Sequence, residues 1–299
     1  MSLVPLLRPA GLACLLVALA TCQRGAIAPG DDAIVASFYP LYDFARHVAG
    51  NHATVTLLVP PGTEPHDWEP APTDVIRVQS ARVFVYNGAG FESWADRLLG
   101  DVRGRGPRVV SAAQGLASLE TEGRTDPHVW LDPLLARQQV EMIRGALAAV
   151  DPGRAPDYNE NASAFSGRLL ELHGRFEAGL ARCARREIVV SHAAFAYLAR
   201  RYHLIQVPII RSLAPDAEPS PADLAALTRQ ARRAGVTYVF FETLVAPKLA
   251  DTLARELGAR TLVLNPIEGL TKEEETRGVG YVELMDANLR NLRTGLGCQ

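Results

Sequence analysis

Runs rich in β-branched and aromatic residues alternate along the chain with stretches whose apolar residues recur at helical spacing. In the first half, strand patterns occupy 33–38, 54–59, 82–86 and 108–111, and helical patterns occupy 41–49, 72–80 and 91–99. In the second half, strand patterns occupy 187–191, 204–210, 236–241 and 261–264, and helical patterns occupy 195–201, 221–234, 247–257 and 281–292. This alternation is typical of parallel βα units rather than of a β-sandwich.

A long helical pattern without a strand lies between the two halves. It runs from Leu134 to Val150 and again from Ala155 to Arg182. The sequence therefore predicts an α/β protein of two lobes, each with a four-stranded, mainly parallel sheet flanked by helices, joined by a long rigid linking helix. We divide the chain into a signal and tether (1–30), an N-terminal lobe (31–152), the linking helix (153–184) and a C-terminal lobe (185–299).

Two histidines lie in loops that prolines stiffen. His66 stands in Pro65-His66-Asp67-Trp68-Glu69-Pro70, after the second predicted strand, and His128 stands in Asp126-Pro127-His128-Val129-Trp130-Leu131-Asp132-Pro133. Because proline fixes φ, such loops present a side chain in one direction at a low entropic cost. This suits a ligand, although a proline-rich turn with a surface histidine has the same pattern.

Two further candidates, His192 and Glu268, follow predicted strands of the second half. In parallel α/β sheets, ligands bind outside the carboxyl ends of the strands, so all four side chains could meet in a cleft between the lobes. Three imidazoles and a carboxylate suit tetrahedral Zn²⁺. Since the four come from distant loops, they match neither a zinc finger nor a helical His-Glu-x-x-His motif.

Each candidate also has a plainer interpretation. His128 could satisfy a loop carbonyl, His192 could be a core histidine at a strand end, and Glu268 could be a solvated turn residue. Glu242 ends a predicted strand and either lines the cleft or caps a helix. Other carboxylates near the site could bind a metal or accept a histidine N–H. These are Glu64, Asp67, Glu69 and Asp132.

Charge and cysteine positions narrow the class of protein. A formal net charge of −2 without a basic stripe excludes nucleic acid as an expected partner.

After Arg8, an apolar run too short to span a bilayer predicts export, and Leu19-Ala20-Thr21-Cys22 has the form of a lipobox in which Cys22 would be lipidated. In the exported body, Cys183 and Cys298 remain, either as a disulfide or as two thiols.

Four segments, taken together and in order, resemble the zinc/manganese solute-binding proteins of bacterial ABC metal importers. They are Pro65 to Pro70, Asp126 to Pro133, Ser191 to Tyr197 and Leu264 to Leu270. The resemblance implies two α/β lobes bridged by a rigid helix, with the metal between them. It implies His66 and His128 as ligands from the first lobe, His192 from the second, and Glu268 as the fourth.

The ligand set bears on the metal. Manganese members of this family tend to place a carboxylate where His192 stands, and a third imidazole favours zinc because manganese prefers oxygen. Many zinc members carry a histidine-rich loop, whereas residues 114–125 contain no histidine. We further expect the stiff His66 loop to be a preformed half-site and the mobile part of the site to lie at Glu268, which Gly269 follows.

We therefore expect a monomeric binding protein, not an enzyme, located in the periplasm or on the outer face of the cytoplasmic membrane. It would capture Zn²⁺ and deliver it to the membrane permease of an ABC importer. Alternatives are the same role for Mn²⁺ or Fe²⁺, a surface adhesin as attributed to relatives of the family, and an exported zinc hydrolase. No nucleophile or short-spaced metal motif supports the hydrolase.

Overall fold

The computed structural model describes residues 1, 34–101, 106–215 and 220–299. The export signal, Cys22 and the tether predicted within residues 1–30 thus lie outside the described residues, apart from Met1. Residues Asp31–Gln299 belong to one compact unit. Among the helices of the described segments, none is long and apolar enough to cross a membrane.

The first sheet is built from short strands that alternate with helices. Its elements are β1 (Ile34–Ala36), α1 (Tyr39–Ala49), β2 (Val55–Leu57), α2 (Pro72–Ser80), β3 (Val83–Tyr86), α3 (Ala95–Asp101) and β4 (Arg108–Ser111). All four strands are parallel, in the order β2-β1-β3-β4, with Ile34 opposite Val55 on one side and Val83 on the other. The chain adds β2 on one side of β1 and then β3 on the other, so the strand order reverses between β1 and β3. Open parallel sheets bind ligands at such a switch point.

A hairpin and two long helices connect the first sheet to the second. They are β5 (Glu120–Thr121), β6 (Arg124–Thr125), α4 (Pro133–Val150) and α5 (Ala155–Leu180). Asp132 caps α4 by accepting a hydrogen bond from Leu134 N at 2.9 Å, and Pro133 occupies the first helical position. Helix α5 has 26 residues and, at 1.5 Å per residue, is about 39 Å long.

The second sheet repeats the topology of the first. Its elements are β7 (Glu187–His192), α6 (Ala196–Arg201), β8 (Ile205–Ile210), α7 (Pro221–Arg233), β9 (Tyr238–Phe241), α8 (Lys248–Leu257), β10 (Arg260–Val263), α9 (Lys272–Thr276) and α10 (Tyr281–Leu296). The strands are parallel in the order β10-β9-β7-β8. Read from the other edge, this is the strand order of the first sheet, so its reversal falls between β7 and β9.

The predicted fold class is confirmed, and the eight strands of the two sheets lie within two residues of their predicted ends. The β5–β6 hairpin and α9 were not predicted. The helix predicted from Phe91 begins only at Ala95. It follows a turn in which Gly88, Ala89 and Gly90 have positive φ values of 78°, 55° and 81°.

The core is continuous between the sheets. One buried cluster includes Ile34 of β1, Ile143 of α4, Leu169 of α5, Ile188 of β7 and Leu292 of α10. Burial of this apolar surface favours the association of the two sheets. The predicted domain boundaries at 152 and 184 stay a prediction.

The carboxyl terminus is tied to the end of α5. Cys183 and Cys298 form a disulfide, which settles the choice that the sequence left open. Beside it, Ala184 N donates to Gly297 O at 3.3 Å and Gln299 N donates to Arg182 O at 3.0 Å. The bridge closes a loop of 115 residues that contains the whole second sheet.

Candidate metal centre

The four predicted site residues all lie at the carboxyl ends of strands or in the loops that follow. His66 lies in a 3₁₀ turn, Pro65–Asp67, whose preceding residue Glu64 accepts a hydrogen bond from His66 N at 3.2 Å. His128 directly precedes a second 3₁₀ turn, Val129–Leu131. His192 is the last residue of β7, and Glu268 lies in the loop after β10.

These side chains converge on one point. One ligand atom from each lies within 4.8 Å of the other three. Glu268 Oε1 is 3.5 Å from His66 Nε2, 3.2 Å from His128 Nε2 and 3.6 Å from His192 Nε2. The side chains of His128, His192 and Glu268 are at most 1% exposed, and that of His66 is 8% exposed.

The converging atoms are buried without partners. The three Nε2 atoms and both Glu268 carboxylate oxygens have no hydrogen-bond partner among the residues that the structure describes. Leaving buried polar atoms unpaired costs free energy, and native proteins do so rarely. A cation at the centre of the cluster would satisfy all of them, and three nitrogens with a carboxylate form a donor set that Zn²⁺ accepts.

Two carboxylates fix the orientation of two of the imidazoles. Asp126 Oδ1 is 2.8 Å from His128 Nδ1 and also accepts His128 N at 3.0 Å, and Glu242 Oε1 is 2.7 Å from His192 Nδ1. An ionised carboxylate only accepts hydrogen bonds, so each Nδ1 carries the proton. When the ring is neutral, each Nε2 therefore points a lone pair at the centre, as metal-binding histidines require.

The charges around the cluster shift its pKa values. Burial by itself lowers the pKa of His128, but the hydrogen bond to Asp126 and the nearby carboxylate of Glu268 outweigh it, so that this pKa is raised. The pKa of His192 is raised well above its usual value against the same effect of burial, mainly by the charge of Glu242. Burial raises the pKa of Glu268, whereas the nearby histidines, His66 foremost, hold it well below its usual range. Without a metal, the cluster therefore holds protons that an entering cation must displace.

The loop of Glu268 is bent by its own backbone and side chains. Asn265 Oδ1 accepts a hydrogen bond from Ile267 N at 2.7 Å, and Asn288 Oδ1 accepts one from Asn265 N at 2.8 Å. Ile267 is fully buried and has a φ of 61°, a conformation that β-branched residues rarely adopt. Such strain persists only where the surrounding structure enforces it, and here it aims Glu268 at the histidines.

The same loop is hydrogen-bonded to the first lobe. Trp130 Nε1 donates to Pro266 O at 2.8 Å, and Gly62 N donates to Leu270 O at 2.6 Å. The loop thus joins the second sheet in sequence and the first sheet by contact. This anchoring does not favour Glu268 as the mobile ligand that we expected.

The other candidate carboxylates have different partners. Glu69 pairs with Arg97 at 2.6 Å, and Asp132 caps α4 and pairs with Arg201 at 2.7 Å. Burial, followed by the charge of Glu268, raises the pKa of Glu64 to about 8. The Nδ1–H groups of His128 and His192 go instead to Asp126 and to Glu242, and Glu242 caps none of the described helices. Asp126 was not among the acceptors that we predicted, although its position two residues before His128 was a usable signal.

The site opens to solvent beside His66. The opening is lined by His66, Gly90, Arg124, Thr125 and Leu213, that is, by residues of both lobes and of the hairpin. His66 is therefore the candidate ligand nearest to solvent.

The fold and the site together define a class of protein: two α/β lobes, each with a parallel sheet, and a candidate metal centre formed by a buried cluster of three histidines and a glutamate. The chain belongs to the family described as "Zinc-uptake complex component A periplasmic", whose profile matches residues 34–295. It is 38% identical over 279 residues to the high-affinity zinc uptake system protein ZnuA of Bacillus subtilis, covering 88% of this chain and 87% of that one.

A second relative is longer. The chain is 38% identical over 290 residues to the zinc-binding lipoprotein AdcA of Streptococcus pneumoniae, covering 92% of this chain but 58% of AdcA. The structure is similar to the Zn(II)-bound ZnuA-like domain of that protein, with a TM-score of 0.79 and 40% identity, covering 88% of this chain and 98% of that domain. The resemblance to metal-importer binding proteins is thus confirmed.

Proposed function

We propose that this protein captures Zn²⁺ with His66, His128, His192 and Glu268 and delivers it to the permease of an ABC importer. The observation that carries the proposal is the convergence of five buried, unpartnered ligand atoms from two lobes. Membership of the zinc-uptake family supports the direction of transport, which is inward.

The donor set favours zinc over manganese and iron. Nε2 atoms supply three of the four side-chain donors, and the Nδ1 atoms of His128 and His192 are already committed to carboxylates. Zn²⁺ takes imidazole and carboxylate in a tetrahedron, whereas Mn²⁺ prefers more oxygen ligands. Two relatives are named for zinc uptake or zinc binding. Competition between the metals for metal-free protein tests this preference.

The arrangement fits binding rather than catalysis. Catalytic zinc sites have three protein ligands and keep a position for water, while four protein ligands fill the tetrahedron. The relatives are named for zinc uptake or binding and not for a reaction, so the hydrolase alternative gains no support from them. The adhesin alternative stays a prediction that an assay of binding to immobilised extracellular-matrix proteins would test.

The location and the partner follow from the family. A periplasmic component of an uptake complex acts outside the cytoplasmic membrane and hands its cargo to a membrane partner. We propose attachment through a lipid on Cys22 and a monomeric state. Mass spectrometry of the mature protein from its native host, compared with a Cys22→Ala variant, tests the anchor, and sedimentation of the zinc-loaded protein tests the monomer.

The decisive experiment is the metal content of purified protein. We expect one zinc per chain for the native protein, and a large loss of affinity for His66→Ala and Glu268→Ala, because each removes one of four ligands. His52→Ala is the matched control, since His52 Nε2 pairs with Asp157 Oδ2 at 3.3 Å and belongs to no ligand cluster among the described residues. Stoichiometric zinc of unchanged affinity in both site variants would remove the proposed site.

A further inference from the structure

Tyr197 extends from the second lobe into the first. It is the second residue of α6, and its ring is fully buried. The other buried members of its apolar cluster are Ala113, Val129 and Leu135, all from the first lobe. The ring of Tyr197 therefore packs into an apolar pocket of the first lobe.

The hydroxyl of Tyr197 ends beside the turn that carries His128. It accepts hydrogen bonds from Ser118 N at 2.9 Å and Leu119 N at 3.1 Å, and it donates to Asp126 O at 3.1 Å. Burial raises the pKa of Tyr197, so the hydroxyl remains a donor throughout the neutral range. Asp126 is the residue whose carboxylate receives both the backbone N–H and the Nδ1 of His128.

The same turn is held a second time from within the first lobe. Asn87 Nδ2 donates to Pro127 O at 2.9 Å, and Asn87 Oδ1 accepts from Gln139 Nε2 at 3.2 Å. Two consecutive carbonyls, of Asp126 and Pro127, are thus bound by opposite lobes. The bond to Pro127 is independent of how the lobes meet, whereas the bond to Asp126 exists only when α6 is docked.

We propose that Tyr197 is a positioning residue that makes the alignment of His128 depend on docking of the second lobe. The inference rests on the proposed zinc-binding function. When α6 docks, the hydroxyl fixes the Asp126 carbonyl, the Asp126 carboxylate holds Nδ1 of His128, and Nε2 meets the centre. When α6 is withdrawn, the Asp126 carbonyl loses this bond, the turn keeps the bonds from Asn87 Nδ2 to Pro127 O and from Asp126 N to Leu119 O, and His128 loses part of its alignment.

The test compares Tyr197→Phe with Tyr202→Phe. The first variant keeps the buried ring and removes the hydroxyl that bridges the lobes. The second removes a hydroxyl five residues later, which lies 3.1 Å from His173 Nδ1 of α5 and makes no hydrogen bond to residues 126–131 within the described part of the chain. Both rings are buried, so the pair separates the cross-lobe contact from a general loss of hydrogen bonding.

We expect zinc to dissociate from Tyr197→Phe about tenfold faster than from the native protein, with little change in the association rate of zinc. Tenfold is the lower end of the loss of metal affinity that follows removal of a residue supporting a ligand. Zinc release from Tyr202→Phe should match the native protein. The visible spectrum of the Co²⁺ form should change for Tyr197→Phe alone, because it reports ligand geometry. Release rates and spectra that are native, or equal in the two variants, would overturn the inference. Failure of the native protein to bind zinc would instead overturn the proposed function.

Discussion

Replacement of Glu242 by glutamine isolates the support that His192 receives. The side chain keeps its shape, but the 2.7 Å contact between the carboxylate and Nδ1 becomes a bond between neutral groups. A hydrogen bond to a charged group contributes about 1.5–3 kcal/mol and a neutral one about 0.5–1.5 kcal/mol. The midpoints of these ranges differ by about 1.25 kcal/mol, which corresponds to a roughly eightfold weaker affinity for zinc.

The pH dependence of this loss has a definite sign. The charge of Glu242 raises the pKa of His192 in the metal-free protein, so the native site must expel a proton that the variant holds less tightly. At high pH, where His192 is deprotonated in both proteins, the full loss is expected. As pH falls through the raised pKa, proton competition weakens the native protein more than the variant. The gap between the two affinities should therefore narrow in acid.

Titration of metal-free protein against a zinc chelator of known affinity measures this effect at several pH values. Glu283→Gln is the matched control, since Glu283 is exposed and pairs with Arg168 at 3.2 Å. An affinity for Glu242→Gln within about twofold of the native value at high pH would refute the estimated contribution of the charged hydrogen bond.

Three further outcomes are expected. Zinc should raise the melting temperature less at about pH 5 than at about pH 7.5, because the imidazole rings must be deprotonated to bind it. Protonation of His128 and His192, whose pKa values are raised, stabilises the metal-free fold at low pH, and this stabilisation is lost as pH rises through those pKa values. An equal gain in melting temperature at both pH values would contradict the proposed site. Reduction of the disulfide, whose loop spans 115 residues, should lower the free energy of unfolding by up to about 4.8 kcal/mol in urea titrations, and an unchanged midpoint would show that the bridge is absent. Gly295→Ala should destabilise the fold by about 1–3 kcal/mol, because the added Cβ would lie 2.5 Å from the buried Phe240 ring. At Gly174 an added Cβ would meet no atom within 4 Å, so Gly174→Ala should stabilise α5 by up to about 1 kcal/mol. Thermal melts in which both variants shift in the same direction would contradict this packing.

The architecture was predictable because its signals are local. Alternation of strand and helix patterns located the eight strands of the two sheets, and proline-bracketed loops pointed to His66 and His128. Glu268 was recognisable chiefly through its resemblance motif, since its position depends on the left-handed Ile267 and on Asn265. A β-branched residue gives no sign in sequence that its backbone will adopt a positive φ.

The supports of the ligands were not predictable in the same way. Glu242 lies 50 residues from His192 in sequence and meets it only because β9 pairs with β7. The hairpin of β5 and β6 has two residues per strand, too few for a periodic pattern, and its place is fixed by contacts such as that of Glu122 with Arg211. Sequence patterns thus identified the groups that we propose as metal ligands, while tertiary pairing determines which groups orient them.

The unequal exposure of the four ligands has a kinetic consequence. If the four side chains hold Zn²⁺ as proposed, an incoming donor molecule would reach His66 before it reached the other three, so exchange would begin at His66. The guanidinium of Arg124 at the opening would attract anionic donors, such as a carboxylate of a receiving protein, more than neutral ones. Exchange by this route would pass through a mixed complex of the incoming donor and the protein.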